Sequence, residues 1–241
     1  MGIEITRDTL ASGEVLAFIR RETRAFPAAG HTVLSDDEIA RSLDRTLSDW
    51  DGRSDVWLFG YGSLIWNPAM RFAERQVALL TGWQRRFCLW LRIGRGSIEH
   101  PGLMLALDRG GHCRGVVFRI PAAEVRTELP LVWVREMATG SYAAHWVPVE
   151  TAGGTLHALT FTADHGHPRY AGPVTEDQAA SCIAVAAGQL GSCADYLLST
   201  ADHLESLGLR DGYIEGLAAR VREILGRPDE RHAADPTLPK I

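Results

Sequence analysis

Lysine is almost missing from this 241-residue chain: of 25 basic residues only Lys240 is lysine, and the rest are arginine. That bias follows genome base composition as readily as any activity, so no function is read from it. Basic charge as a whole is also short. Thirty acidic residues leave a net charge of −5, whereas a general nucleic-acid binder needs a basic surface. Cysteine is sparse: Cys88, Cys113, Cys182 and Cys193 show neither CxxC spacing nor a disulfide framework. Free thiols in a reducing compartment are expected, and with them a cytoplasmic location. No run approaches 18 apolar residues, so no membrane-spanning helix is expected. The stretch from Met1 to Arg24 lacks a basic segment followed by an apolar core, which argues against a secretory leader.

What is present is globular material. Hydrophobic residues make up 46% and charged ones 23%, enough to build a packed core and to exclude wholesale disorder. The length suits one full domain with extensions, or two small ones.

Three textures follow one another. Residues 1–54 read as a helical N-terminal extension. Ser35 to Glu38 fits a capping box, and Ile39, Leu43, Leu47 and Trp50 recur behind it at helical spacing. Residues 55–226 read as the main domain, strand-rich to about 174 and helical over about 175–226. Seven short strands are expected, starting at Val56, Val77, Arg85, Leu103, Gly115, Tyr142 and Thr155. One helix interrupts them, entered at Pro121, running towards Glu136 and closed by Gly140. Pro130 inside it predicts either a kink or a late start. Thr175 to Gln178 is a second capping box. The apolar stripe behind it runs from Ala179 through Cys182, Ile183, Ala186 and Ala187 to Leu190. Ser192 and Asp211 look like caps for two further helices, stopping at Gly208 and Gly226. Residues 227–241 read as a loose tail. The sum is an α+β fold whose sheet can curl into a barrel with helices outside.

Gly60-Tyr61-Gly62-Ser63-Leu64 follows the first strand of the main domain. Two glycines around a tyrosine allow a sharp turn, close backbone approach to a ligand and amides free for an anion; a plain turn with a packed tyrosine fits as well. The segment is not a nucleophile elbow, because Tyr61 and Ile65 stand where glycines are required. Nor is it a dinucleotide fingerprint. Glu136 lies in the otherwise apolar Trp133–Met137, at the predicted end of a helix. Burial and the helix C-terminus would both raise its pKa, which suits a proton carrier. An exposed carboxylate, or one paired with Arg135, is the alternative. His165-Gly166-His167 has no third ligand at a recognisable spacing and HExxH is absent, so a solvated loop is preferred to a zinc site. Arg85-Arg86 and Arg95 read most simply as surface or strand-end charges.

Taken together, Phe59 to Pro68 resembles the opening signature of the ChaC-type γ-glutamylcyclotransferases. Gly82-Trp83-Gln84-Arg85-Arg86-Phe87 is similar to that family's strand with paired basic residues. Arg95-Gly96 falls at its Arg-Gly step, and Gly115 to Pro121 resembles its central strand and helix entry. Trp133 to Met137 with Gly140 and Tyr142 resembles its catalytic Arg-Glu segment, and His167 to Tyr170 its late tyrosine loop. The match runs from about Val56 to Leu225, and the helical extension in front resembles bacterial members. The resemblance implies a small mixed β-barrel, a pocket at the Tyr-Gly-Ser-Leu loop, and glutathione as the preferred substrate. One departure is Thr139-Gly140-Ser141, where many relatives have a double glycine; it bears on the loop behind Glu136 and on substrate range.

The chemistry needs little from a protein. A γ-glutamyl unit carries its own nucleophile, the α-amine, which closes a five-membered ring on the γ-carbonyl. No enzyme nucleophile, metal or cofactor is required. The protein must fold the substrate, move a proton and stabilise an oxyanion. Glu136 is the expected acid–base. The amides of Tyr61, Gly62, Ser63 and Leu64 are expected to grip a carboxylate or the oxyanion, Tyr142 and Tyr170 to form pocket walls, and Arg95 to orient a carboxylate. The expected partner is a small molecule alone, with no nucleic acid, no membrane and a monomeric state. Two other readings remain open: a same-fold enzyme for other γ-glutamyl amides, and a non-catalytic regulator that senses a ligand. Retention of Glu136 together with the loop speaks against the regulator, since a pure binder has no use for a general base.

Overall fold

Capping chemistry sets the helix boundaries. Thr6 opens α1 (Arg7–Ala11), Ser35 opens α3 (Asp36–Thr46) and Thr175 opens α5 (Glu176–Val185). In each, the cap hydroxyl accepts from the amide three residues on, and that residue's side chain returns to the cap amide. Between the first two lies α2 (Glu14–Ala25). Ser192 caps α6 (Cys193–Ser206), and Asp211 Oδ1 accepts from the amides of Tyr213 and Ile214 at the start of α7 (Gly212–Gly226). The computed structural model describes residues 3–29 and 31–226; the tail expected over 227–241 lies outside the described residues.

Helix α4 (Ala122–Met137) begins at Pro121 and runs through Pro130. A late start is therefore excluded. Pro130 forfeits one backbone bond, but Val125, Leu129, Val132 and Trp133 are all buried around it and hold the turn in place. Gly140 closes the helix with φ +69°, its amide donating to Met137 O.

Five strands form a closed barrel: β1 (Val56–Gly60), β2 (Glu74–Leu91), β3 (Gly102–Ile120), β4 (Tyr142–Thr151) and β5 (Gly154–Ala163). The order is β1-β3-β2-β4-β5, and parallel pairing of β1 with β5 completes the ring. This corrects the expectation of seven short strands. Four of them merge into β2 and β3, of 18 and 19 residues, because the irregularities between them are bulges in continuing strands. Gly82 lies opposite the pair Gly110-Gly111, all three at positive φ, and the register shifts there by one. A second shift leaves Cys88 as an extra residue in β2. The helical stripe expected up to Leu190 also breaks. After Val185 the chain forms a two-residue-per-strand hairpin, β6 (Ala187–Gly188) with β7 (Gly191–Ser192). Gly188 sits where a Cβ would overlap the Gly94 carbonyl.

Helices α5, α6 and α7 pack on one another against the barrel. Helices α1, α2 and α3 pack against α4. Trp133 Nε1 donates to Ser42 Oγ at 2.7 Å, Trp146 Nε1 to Thr46 O at 3.0 Å, and Arg7 pairs with the buried Glu128 at 2.6 Å. Asn67 Nδ2 reaches Ile5 O, which lays the N-terminal strap beside the loop after β1. All four cysteines are buried free thiols. Burial pushes Cys113 and Cys193 up to about 11, and Cys88 higher still. Among the described residues no helix is long and apolar enough to cross a membrane.

Candidate active site

Strand β1 delivers Gly60 to the mouth of the barrel, and the chain turns at once. Ile65 N donates to Gly62 O and Asn67 N to Ser63 O, both at 2.9 Å. The amides of Gly62, Ser63 and Leu64 then have no partner among the described residues, as at the first turn of a helix. The glycines answer to space rather than to backbone dihedral. Neither Gly60 nor Gly62 has positive φ. A Cβ on Gly60 would stand 3.1 Å from Leu64 Cβ, and one on Gly62 would stand 3.3 Å from Leu105 Cδ2 and 3.6 Å from the Tyr196 hydroxyl.

Two arginines hold this turn. Arg85 Nε donates to Tyr61 O at 2.6 Å, its Nη2 to Arg114 O at 2.6 Å, and its Nη1 pairs with the α7 cap Asp211 at 2.9 Å. At 2% exposure Arg85 is a buried clamp in the middle of β2, which corrects its reading as a surface or strand-end charge. Arg135, in the last turn of α4, donates through Nη2 to Ser63 Oγ at 2.7 Å and through Nη1 to Asn67 O. Its Nε lies 3.0 Å from Glu136 Oε1. Ser63 is thereby tied to a cation rather than to a general base.

Glu136 is the penultimate residue of α4, and its side chain is only 15% exposed. Burial raises its pKa, with Arg135 partly offsetting the rise. Three phenols respond to it. Those of Tyr61 and Tyr142 are driven well above their usual value, and that of Tyr196 up to about 12, burial being the main cause and the Glu136 charge a further one. All three therefore stay protonated at neutral pH. Tyr142 donates to Leu105 O at 3.0 Å.

A cavity of about 240 Å³ joins these groups. Of the residues singled out in the sequence, Tyr61, Gly62, Ser63, Leu64, Glu136 and Tyr142 line it. Arg95 and Tyr170 do not. Arg95 Nη1 donates to Ser192 O at 3.0 Å, with its guanidinium 5.7 Å from the Tyr196 ring centre. Tyr170 bonds Asp108 at 3.2 Å and stacks on His165 at 4.1 Å, beyond the cavity wall. His165 Nε2 lies 2.6 Å from Asp108, whereas His167 Nδ1 accepts from Arg169 N. Among the described residues no group of three or more His, Cys, Asp or Glu converges as metal ligands.

The cavity is also lined by residues to which the sequence gave no site role: Ile5 from the N-terminal strap, Thr139, Arg169 and Tyr196. Arg169 immediately precedes Tyr170 in the late tyrosine loop, and it is Arg169 rather than Tyr170 that lines the cavity. Tyr196 is one residue of a helix whose sequence carries no chemical signal. The assembled site places one largely buried carboxylate beside a turn of free amides, in a pocket of neutral phenols. It can take a proton from a bound cation, return it to a leaving group, and receive an anion on the amides.

Known proteins give the following likenesses. Residues 56–224 match the family described as ChaC-like protein. The glutathione-specific γ-glutamylcyclotransferase of Escherichia coli K12 is 40% identical over 223 residues, covering 92% of this chain and 94% of that protein. Glutathione-specific γ-glutamylcyclotransferase 1 of Mus musculus is 33% identical, covering 70% of this chain and 79% of its own length. The crystal structure of a selenomethionine-labelled γ-glutamyl cyclotransferase specific to glutathione from yeast superposes with TM-score 0.65. Its identity is 23%, and the overlap covers 75% of this chain and 98% of that one. That last likeness concerns the fold.

Proposed function

The chain belongs to the ChaC-like protein family, and from that membership we propose that it is a γ-glutamylcyclotransferase that cleaves glutathione. The glutamyl α-amine attacks the γ-carbonyl carbon, the amide bond to cysteine breaks, and 5-oxoproline and Cys-Gly leave. No water is consumed. The ammonium nitrogen sheds two protons in becoming the ring amide, and the departing nitrogen takes both to leave as the ammonium of Cys-Gly; Glu136 carries them one at a time, so one carboxylate serves every proton step. The observation that carries this role is its placement: a largely buried carboxylate with a raised pKa on the cavity wall, clamped by Arg135 to the turn it faces. The free amides of Gly62, Ser63 and Leu64 take the negative charge, either the glutamyl carboxylate or the oxyanion. Tyr61 and Tyr142 act as walls that exclude water.

The enzyme is proposed to work as a monomer, without metal or cofactor. The nucleophile is part of the substrate, and every residue given a role lies on one chain. The deciding experiment is incubation of purified protein with glutathione and detection of 5-oxoproline and Cys-Gly in equal amounts by mass spectrometry. Absence of both products, with γ-glutamyl-amino acids or γ-glutamylamines cleaved instead, would move the assignment to those amides.

A further inference from the structure

Two guanidinium groups line the cavity, and they are not equivalent. Arg135 has each edge engaged, one of them by Glu136. Arg169 is 5% exposed and meets only neutral oxygens: Trp90 O at 2.8 Å from Nε, and the hydroxyls of Thr139 and Ser141 at 3.2 and 3.3 Å from Nη1. Its Nη2 has no partner among the described residues, and it forms no ion pair with them. A buried charge is costly unless an opposite charge meets it. None does so from the neighbouring elements. The groups that act on Arg169 are the Tyr142 phenol and a second cation, Arg92, while His31 is held neutral, down to about 3, by burial and these two arginines. In a protein of net charge −5, this cavity wall has kept a cation without its anion.

Its place in the cavity decides which anion belongs there. Glu136 is paired with Arg135, which holds the turn after β1 at Ser63 and Asn67, whereas Arg169 shares none of these partners and is held by Trp90 near the end of β2 and by Thr139 and Ser141 in the loop after α4. In a γ-glutamyl peptide the attacking amine and the α-carboxylate share one carbon, so both must sit at the Glu136 end. The other carboxylate lies past the scissile amide, at the far end of the peptide. We propose that Arg169, its guanidinium fixed by Thr139 and Ser141, holds the C-terminal carboxylate of the peptide substrate and so selects glutathione over γ-glutamyl amides that lack one.

This rests on the function proposed above, and the test separates the two. Glutathione is compared with its C-terminal carboxamide, in wild type, Arg169→Met and Arg169→Lys, following 5-oxoproline release and thermal melting. A hydrogen-bonded charge contact gives the wild type a preference for the acid of about 10–100-fold in kcat/KM, mostly through KM. In Arg169→Met that preference collapses towards one, and Arg169→Lys keeps part of it. Equal losses on both substrates, or a wild type indifferent to the carboxamide, would overturn the assignment while leaving the cyclotransferase reading intact. No 5-oxoproline from either substrate in wild type would remove both. If Arg169→Met melts early, the wild-type ratio and Arg169→Lys still decide.

Discussion

Replacing Glu136 by glutamine keeps the size and hydrogen-bonding reach of the side chain and removes its capacity to exchange a proton. Among the described residues Glu136 is the only carboxylate lining the cavity, so no neighbour can take over the role. General acid–base catalysis is worth about 10²–10⁴-fold, or about 3–5 kcal/mol at 1.36 kcal/mol per tenfold, and the loss should appear in kcat. Stability should move the other way. Burial raises the folded-state pKa of Glu136, so its contribution to stability is full below the unfolded pKa and is lost as pH rises through the folded one. A neutral glutamine escapes that loss. With its amide oxygen still able to accept from Arg135 Nε, the variant should melt no earlier than wild type at pH 8. The acid limb of the wild-type kcat/KM profile should lie above the usual carboxylate range and vanish in the variant. Single-turnover rate and Tm are measured on one preparation. A stable variant that cleaves glutathione at nearly the wild-type rate would refute the mechanism. Early melting with the rate retained would reduce Glu136 to a structural partner of Arg135.

Other outcomes follow from the same geometry. Gly62→Val should abolish turnover, because its branched carbons must enter the space between Leu105 and Tyr196, where a Cβ alone already stands 3.3 Å from Leu105; near-normal kcat/KM in a folded variant would make the loop a mere turn. Dialysis against a strong chelator should leave activity intact, and loss restored by one divalent metal would overturn the metal-free scheme. Arg85→Met removes a buried partner of the partly exposed Asp211 and frees the Tyr61 carbonyl. A destabilisation towards the lower end of about 3–5 kcal/mol is expected, with a raised KM for glutathione; unchanged melting would show that the clamp carries no strength.

What could be read from the sequence was local. The boxes at Ser35 and Thr175 and the cap at Asp211 depend on residues within one turn, and all form as expected. The turn after β1 and the carboxylate at the end of α4 were legible for the same reason. The continuity of β2 and β3 was not. Gly82, Gly110 and Gly111 announce unusual backbone, but the sequence does not distinguish a chain reversal from a bulge in a continuing strand. The rest of the cavity was hidden because it is assembled at long range. Arg169 approaches the site only because its Nε reaches Trp90 O, 79 positions away. Tyr196 comes from a helix of which the sequence showed only the two ends, and the reading of Arg85 as a surface or strand-end charge missed contacts with Tyr61, Arg114 and Asp211 that only the closed barrel creates.

The burial of all four thiols takes on a particular meaning for an enzyme proposed to consume glutathione. Such a protein lives among its substrate's own disulfide, and any accessible thiolate would exchange with it to give a mixed disulfide. Exchange requires the thiolate form and a path to the sulfur. Here Cys113 and Cys193 are pushed up to about 11 and Cys88 further, so these three hold almost no thiolate at neutral pH, and all four cysteines are buried. The rate of glutathione removal should therefore follow glutathione concentration alone and stay indifferent to how oxidised the pool is. The protein would act as a drain on the thiol buffer without being governed by its potential.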